Sequence, residues 1–144
     1  MTSALLDDLQ WRNSIAQTTD RAELETFLNG GSRSLYLGVD PTAPSMHLGN
    51  LAAFTVLRRF QIAGHKPIAL VGGATGLVGD PSGRNSERTL NDVDVVEEWV
   101  GKIRKQLENI LDFTGKNSAV MANNLDWTAP VSAISFLRDI GKHF

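Results

Sequence analysis

Apolar residues along this chain recur at two different periods, and the period changes several times. Near the start Leu5, Leu6 and Leu9 recur at helical spacing, with Ile15 on the same apolar side and Thr2 or Ser3 as the cap. Asp20 followed by Glu23 has the form of a capping box that opens a second helix. Leu24, Phe27 and Leu28 give that helix one apolar face, and Gly30-Gly31 end it. Residues 34–39 form a short apolar run of strand length, closed by Asp40-Pro41. Helical spacing returns from about 47 to 61 through Leu48, Leu51, Ala52, Val56 and Phe60, with Gly64 as the residue beyond the cap. Pro67 leads into a second strand over 68–71, and a polar, glycine-rich loop is expected over 72–91. Val96, Trp99, Val100, Ile103, Leu107, Ile110 and Leu111 then mark a long amphipathic helix over about 92–111, packed by its spacing against a core. A third strand is expected over 119–122. Pro130 would stand in the first turn of a last helix carrying Ile134, Leu137 and Ile140.

Helix–strand alternation of this kind predicts an α/β fold, a Rossmann-like parallel sheet with right-handed crossovers and helices on both faces. Ligands of such sheets bind beyond the carboxyl ends of the strands. That rule puts residues 40–50 and 72–88 on one rim. A length of 144 residues suits one domain. Residues 1–32 read as an N-terminal helical segment, and residues 33–144 as the first part of the sheet domain.

Composition narrows the chemistry. A net charge of −2 argues against a generally basic nucleic-acid-binding surface. The absence of cysteine excludes disulfides and thiolate catalysis. His47, His65 and His143 are too far apart in sequence to form a local metal motif, so no protein-held metal is expected. The first residues lack a basic, apolar leader, and no segment is long enough to cross a membrane, which points to the cytoplasm.

Two rim segments carry the candidate chemistry. The first, Asp40-Pro-Thr-Ala-Pro-Ser-Met-His-Leu-Gly-Asn50, follows a strand and opens a helix. Free N–H groups and a partial positive charge suit such a helix start to phosphate. His47 can donate to a phosphate oxygen, and Gly49 allows close approach of a ligand. The same residues also suit a plain strand-to-helix turn with a histidine cap. The second segment, Gly72-Gly-Ala-Thr-Gly-Leu-Val-Gly-Asp80-Pro-Ser-Gly83, has neither the dinucleotide-binding nor the P-loop glycine spacing.

Taken together, the motifs resemble a known family. H-x-G-N opening a helix after the first strand, preceded by Asp-Pro-Thr, resembles the H-x-G-H signature of class I aminoacyl-tRNA synthetases. The longer runs resemble the bacterial tyrosyl-tRNA synthetases: Tyr36 to Asn50, Leu57 to Pro67, Gly72 to Gly83, Glu87 to Asn91, Asn123 to Trp127 and Phe136 to Phe144. Leu37 stands where that family often has cysteine, Val39 where it has phenylalanine, and Asn50 where it has the second histidine. Ala53 and Leu125 also depart from its common choices. Asn50 occurs in the related tryptophanyl enzymes too, so tryptophan specificity is an alternative, as is a non-catalytic module derived from a synthetase.

The resemblance implies activation of tyrosine by ATP to tyrosyl-adenylate, followed by transfer to tRNA(Tyr). It implies Thr42 and His47 at the γ-phosphate end of ATP, Gly49 and Asn50 by the adenosine, and Asp40, with Gly38, near the nucleotide. Arg84 and Arg88 match the basic positions of a loop over the pyrophosphate. Tyr36 would meet the substrate phenol and Asp80 its ammonium, with Leu70, Gly73, Thr75, Asn124 and Trp127 lining or bordering the pocket. Mg2+ would accompany ATP, and the complete protein would be a homodimer. Within the family the Lys-Met-Ser-Lys-Ser-like loop falls beyond the point matching Phe144.

Overall fold

Three of the apolar runs become strands, and all three are parallel. A computed structural model describes residues 3–78 and 91–144. Its elements are α1 (Ser3–Trp11), α2 (Arg21–Asn29), β1 (Ser34–Val39), α3 (Leu48–Ile62), β2 (Lys66–Val71), α4 (Gly73–Val78), α5 (Val93–Leu107), β3 (Val120–Asn123), α6 (Leu125–Thr128) and α7 (Ala133–Asp139), then a short 3-10 turn at Gly141–His143. The sheet order is β1-β2-β3. Ser34 pairs with Lys66 and Val39 with Val71, while Ile68 pairs with Val120 and Val71 with Asn123. Pro67 therefore lies inside the central strand, although proline cannot donate to a ladder. Its register explains this. The Lys66 N–H donates to the Arg33 carbonyl on the β1 side at 2.8 Å. The Pro67 nitrogen then faces the other side, where β3 pairing begins only at Ile68.

Partners in a parallel register share a face of the sheet. Val39, Ala69 and Val71 are buried with Phe54 and Leu57 of α3, Ile103 and Leu107 of α5, and Leu111 and Ala119. Both crossover helices thus pack on one face. The expectation of helices on both faces fails for the described residues, and the cause is topological: two successive right-handed crossovers in the same direction put both helices on the same side. The opposite face carries Tyr36, Gly38, Ile68, Leu70, Val120 and Ala122. Tyr36 is 71% exposed and Val120 53% exposed.

Several boundaries correct the sequence reading. The stretch expected as loop after Gly72 contains α4, begun by the Gly76 N–H donating to the Gly72 carbonyl at 2.7 Å. A Cβ on Gly76 would run into Pro41 and Val96, so this glycine serves close packing rather than loop freedom. Pro130 does not start the last helix. Ser132 caps α7, its hydroxyl accepting from the Ser135 N–H at 3.1 Å. A short helix, α6, precedes it. Helix α5 ends at Leu107, and Leu111 is buried from the turns that follow. Gly64 has φ of +97°, the left-handed conformation expected beyond a helix cap.

Polar anchors complete the frame. Buried Gln61 donates to the carbonyls of Asp112 (2.6 Å) and Asn117 (3.1 Å) and accepts from the Asp112 N–H (3.0 Å). Asn117 in turn donates to the Gln61 and His65 carbonyls. His65 is buried, and its Nδ1 accepts from the Arg33 N–H at 3.2 Å. Burial, helped by the Arg33 charge, holds the His65 pKa below its ordinary value. At the N-terminal side, buried Leu6 and Leu9 hold α1 to the body, and Asp8 pairs with Arg59 of α3 at 2.7 Å. Asp20 caps α2 by accepting from the Glu23 N–H. Among the described residues no helix is long and apolar enough to cross a membrane.

Candidate active site

The rim at the carboxyl ends of the strands has two parts. The first is the start of α3. His47 is its N-cap, with Nδ1 accepting from the Asn50 N–H at 3.3 Å, while Asn50 Oδ1 accepts from the His47 N–H at 3.2 Å. This reciprocal box has a chemical consequence. With Nδ1 used as an acceptor, a neutral His47 ring carries its proton on Nε2, where it can donate outward. Among the described residues the Asn50 side-chain N–H groups have no acceptor. Gly49 matters to the same ring, since a Cβ there would sit 3.0 Å from imidazole carbon. Thr42 is exposed on the loop before the helix, its N–H donating to the Asp40 carbonyl at 3.0 Å.

The second part joins the ends of all three strands. The Thr75 hydroxyl lies 2.6 Å from Asp40 Oδ1 and 3.0 Å from the Gly72 carbonyl, and it can donate to either. A Cβ on Gly72 would collide with both Asp40 and Thr75, so glycine is required between them. From the β3 side Asn123 Oδ1 accepts from the N–H of Gly73 and of Leu125, both at 3.1 Å. Asn124 Oδ1 accepts from the Ala74 N–H at 2.7 Å. The first N–H groups of α4 are therefore already satisfied by side chains.

The sites expected from sequence divide accordingly. His47 and Asn50 touch each other, and Asp40 touches Thr75. Gly73 and Asn124 are both in the strand-end cluster. Tyr36, Gly38 and Leu70 lie along the open face of the sheet, with Gly38 paired to Leu70 in register. Among the described residues, a methyl at Gly38 would meet the Leu70 carbonyl alone, at 3.9 Å. Trp127 stands on α6 and is 54% exposed. Asp80, Arg84 and Arg88 lie outside the described residues. Asn123 was missed by sequence reasoning, which chose only its neighbour. Gln106 was also missed. Its Oε1 accepts from the Met46 N–H at 2.9 Å, beside His47. A polar residue three positions after Ile103, on the apolar stripe of α5, was the available signal.

Residues 29–144 match the family described as tRNA synthetases class I (W and Y). The chain belongs to this family. As a class I synthetase chain it is 60% identical over 142 residues to the tyrosine–tRNA ligase of Chromobacterium violaceum, covering 99% of this chain and 34% of that protein. It is 59% identical over 143 residues to the tyrosine–tRNA ligase of Acidothermus cellulolyticus, covering 97% and 34%. Among solved structures it is similar to a C-terminally truncated mitochondrial tyrosyl-tRNA synthetase of Aspergillus nidulans, with a TM-score of 0.73 at 30% identity, covering 88% of this chain and 38% of that one. This synthetase chain thus spans about a third of the length of the curated relatives it matches.

Proposed function

We propose that the chain forms the N-terminal part of the catalytic domain of a tyrosine–tRNA ligase. The observation that carries this is identity near 60% to tyrosine–tRNA ligases along nearly the whole chain, the rim segments included. The reaction suits a site of donors rather than bases. The carboxylate of tyrosine is already ionised at neutral pH. Its oxygen forms a bond to the α-phosphorus of ATP, the bond to the bridging oxygen breaks, and pyrophosphate leaves with that electron pair. What the protein must supply is alignment and stabilisation of phosphate charge.

On this reading the Nε2–H of His47 and the Thr42 hydroxyl donate to the γ-phosphate end of ATP, which arrives with Mg2+. Gly38, Asp40, Gly49 and Asn50 border the nucleotide, with Asn50 reaching a ribose hydroxyl. Tyrosine lies on the open face of the sheet, its phenol at Tyr36 and its ammonium at Asp80. Leu70, Gly73, Thr75, Asn124 and Trp127 line or border it. Arg84 and Arg88 cover the leaving pyrophosphate. The tyrosyl group then passes to tRNA(Tyr), and a cytoplasmic homodimer is the form proposed for the complete protein.

The test is amino-acid-dependent ATP–pyrophosphate exchange by a protein extended to the length of its relatives. Tyrosine is expected to support exchange and tryptophan not to. Exchange with tryptophan alone would move the assignment to the other branch of the family. No exchange with either would end the ligase reading.

A further inference from the structure

We infer that Gln106 of α5 is a positioning residue for the nucleotide half of the site, acting as a strap on the segment that delivers Thr42 and His47. The inference rests on the proposed nucleotide role of those two residues. Between the end of β1 and the start of α3 the chain runs through residues 41–46 without helix or strand. Pro41 and Pro44 have no N–H to anchor it. Among the described residues two hydrogen bonds hold this backbone. One is local, from the Thr42 N–H to the Asp40 carbonyl. The other reaches across sixty residues, from the Met46 N–H to Gln106 Oε1 at 2.9 Å.

That second bond sits at a useful place. Met46 precedes the N-cap His47 and packs against the core, so its amide fixes the angle at which the chain enters α3. The capping box orients the imidazole relative to α3, but it says nothing about the loop that carries Thr42. Gln106 supplies that reference, because its own helix is held in the core by Ile103 and Leu107 on either side. The side chain reaches the backbone through its oxygen, so it acts on Thr42 and His47 through Met46 and needs no contact with ATP. Burying the Met46 N–H against an apolar side chain would leave that donor without a partner.

The test compares Gln106→Met, which keeps length and loses the acceptor, with Gln106→Glu, which keeps an acceptor oxygen. In the 144-residue chain, amide hydrogen exchange by NMR is expected to show roughly a five- to tenfold loss of protection at Met46 in Gln106→Met. Gln106→Glu should retain it. In the extended protein, Gln106→Met is expected to raise KM for ATP roughly three- to tenfold while KM for tyrosine stays unchanged. Unchanged Met46 protection in Gln106→Met would overturn the strap. So would wild-type ATP kinetics in that variant, or a matching rise in the tyrosine KM. If the wild-type extended protein shows no tyrosine-dependent exchange, the ligase reading falls instead, and the Met46 measurement still decides whether the strap exists.

Discussion

At His47 the two ring nitrogens have different work, and substitution can separate them. Nδ1 caps α3, while Nε2 faces outward as a donor. Asparagine is a good N-cap but cannot place a donor where Nε2 lies. His47→Asn is therefore expected to keep thermal stability within about 0.5 kcal/mol of wild type. In the extended protein it should lower adenylate formation by on the order of 100-fold or more, the usual cost of one lost transition-state donor. His47→Ala should lose that rate and, in addition, about 1 kcal/mol of stability with the cap. Urea denaturation and pre-steady-state pyrophosphate release measure the two effects separately, and an active His47→Asn enzyme would remove Nε2 from the chemistry. The sequence pointed to His47 and Asn50 as neighbours of a ligand. It did not show that they hold each other, because a reciprocal cap depends on the entry angle of the chain. Thr75 is a similar case: its position was legible, but its bond to Asp40 depends on two strand ends meeting.

The strands were the most legible elements, since short β-branched and apolar runs bounded by proline and glycine admit few readings. Residues 34–39 were expected as a strand and form β1 with those limits. Helix α4 was hidden because Gly72, Gly73 and Gly76 look like loop residues, when their lack of side chains serves contacts with Asp40, Asn123 and Pro41. The start of α7 was misread because proline favours a first turn, whereas the Ser132 hydroxyl supplied the cap. Helix α3 shows how a polar residue can be a joint between elements. Gln61 is 3% exposed and ties the end of α3 to the turns before β3. Gln61→Leu keeps the volume but leaves the Asp112 N–H and the Asn117 carbonyl without their partner, while the Asp112 carbonyl keeps the Ala119 N–H. It is expected to cost roughly 3 kcal/mol, by the usual penalty for buried unpaired groups, read as a lower urea midpoint with an unchanged slope. A loss below about 0.5 kcal/mol would mean that water replaces the amide.

For the molecule as a whole, acid sensitivity near neutrality should centre on His65. Its folded pKa lies below the value of the unfolded chain, so the unfolded state binds the proton more tightly. Stability is then full above about pH 6.5 and falls as the pH drops from there toward the depressed folded value. Denaturation midpoints at pH 7.5, 6.5 and 5.5 are expected to decline in the wild type. His65→Asn keeps an acceptor for the Arg33 N–H and should flatten that decline. An equally steep fall in His65→Asn would place the acid-sensitive group elsewhere. The central position of β2 has a further consequence, this time for the order of events in folding. Among the described residues every strand pairing includes β2, and the register joins Ser34 to Lys66 but Ile68 to Val120, so the second closure spans the longer stretch of chain. Closing a longer stretch before any contact rewards it is the slower step. The β1–α3–β2 unit is thus expected to assemble first and to receive β3 late. Ala69, fully buried and paired with both Leu37 and Met121, belongs to the nucleus on this view. Ala69→Gly should then mainly slow refolding, whereas Met121→Ala should mainly speed unfolding, as the two arms of a chevron plot would report.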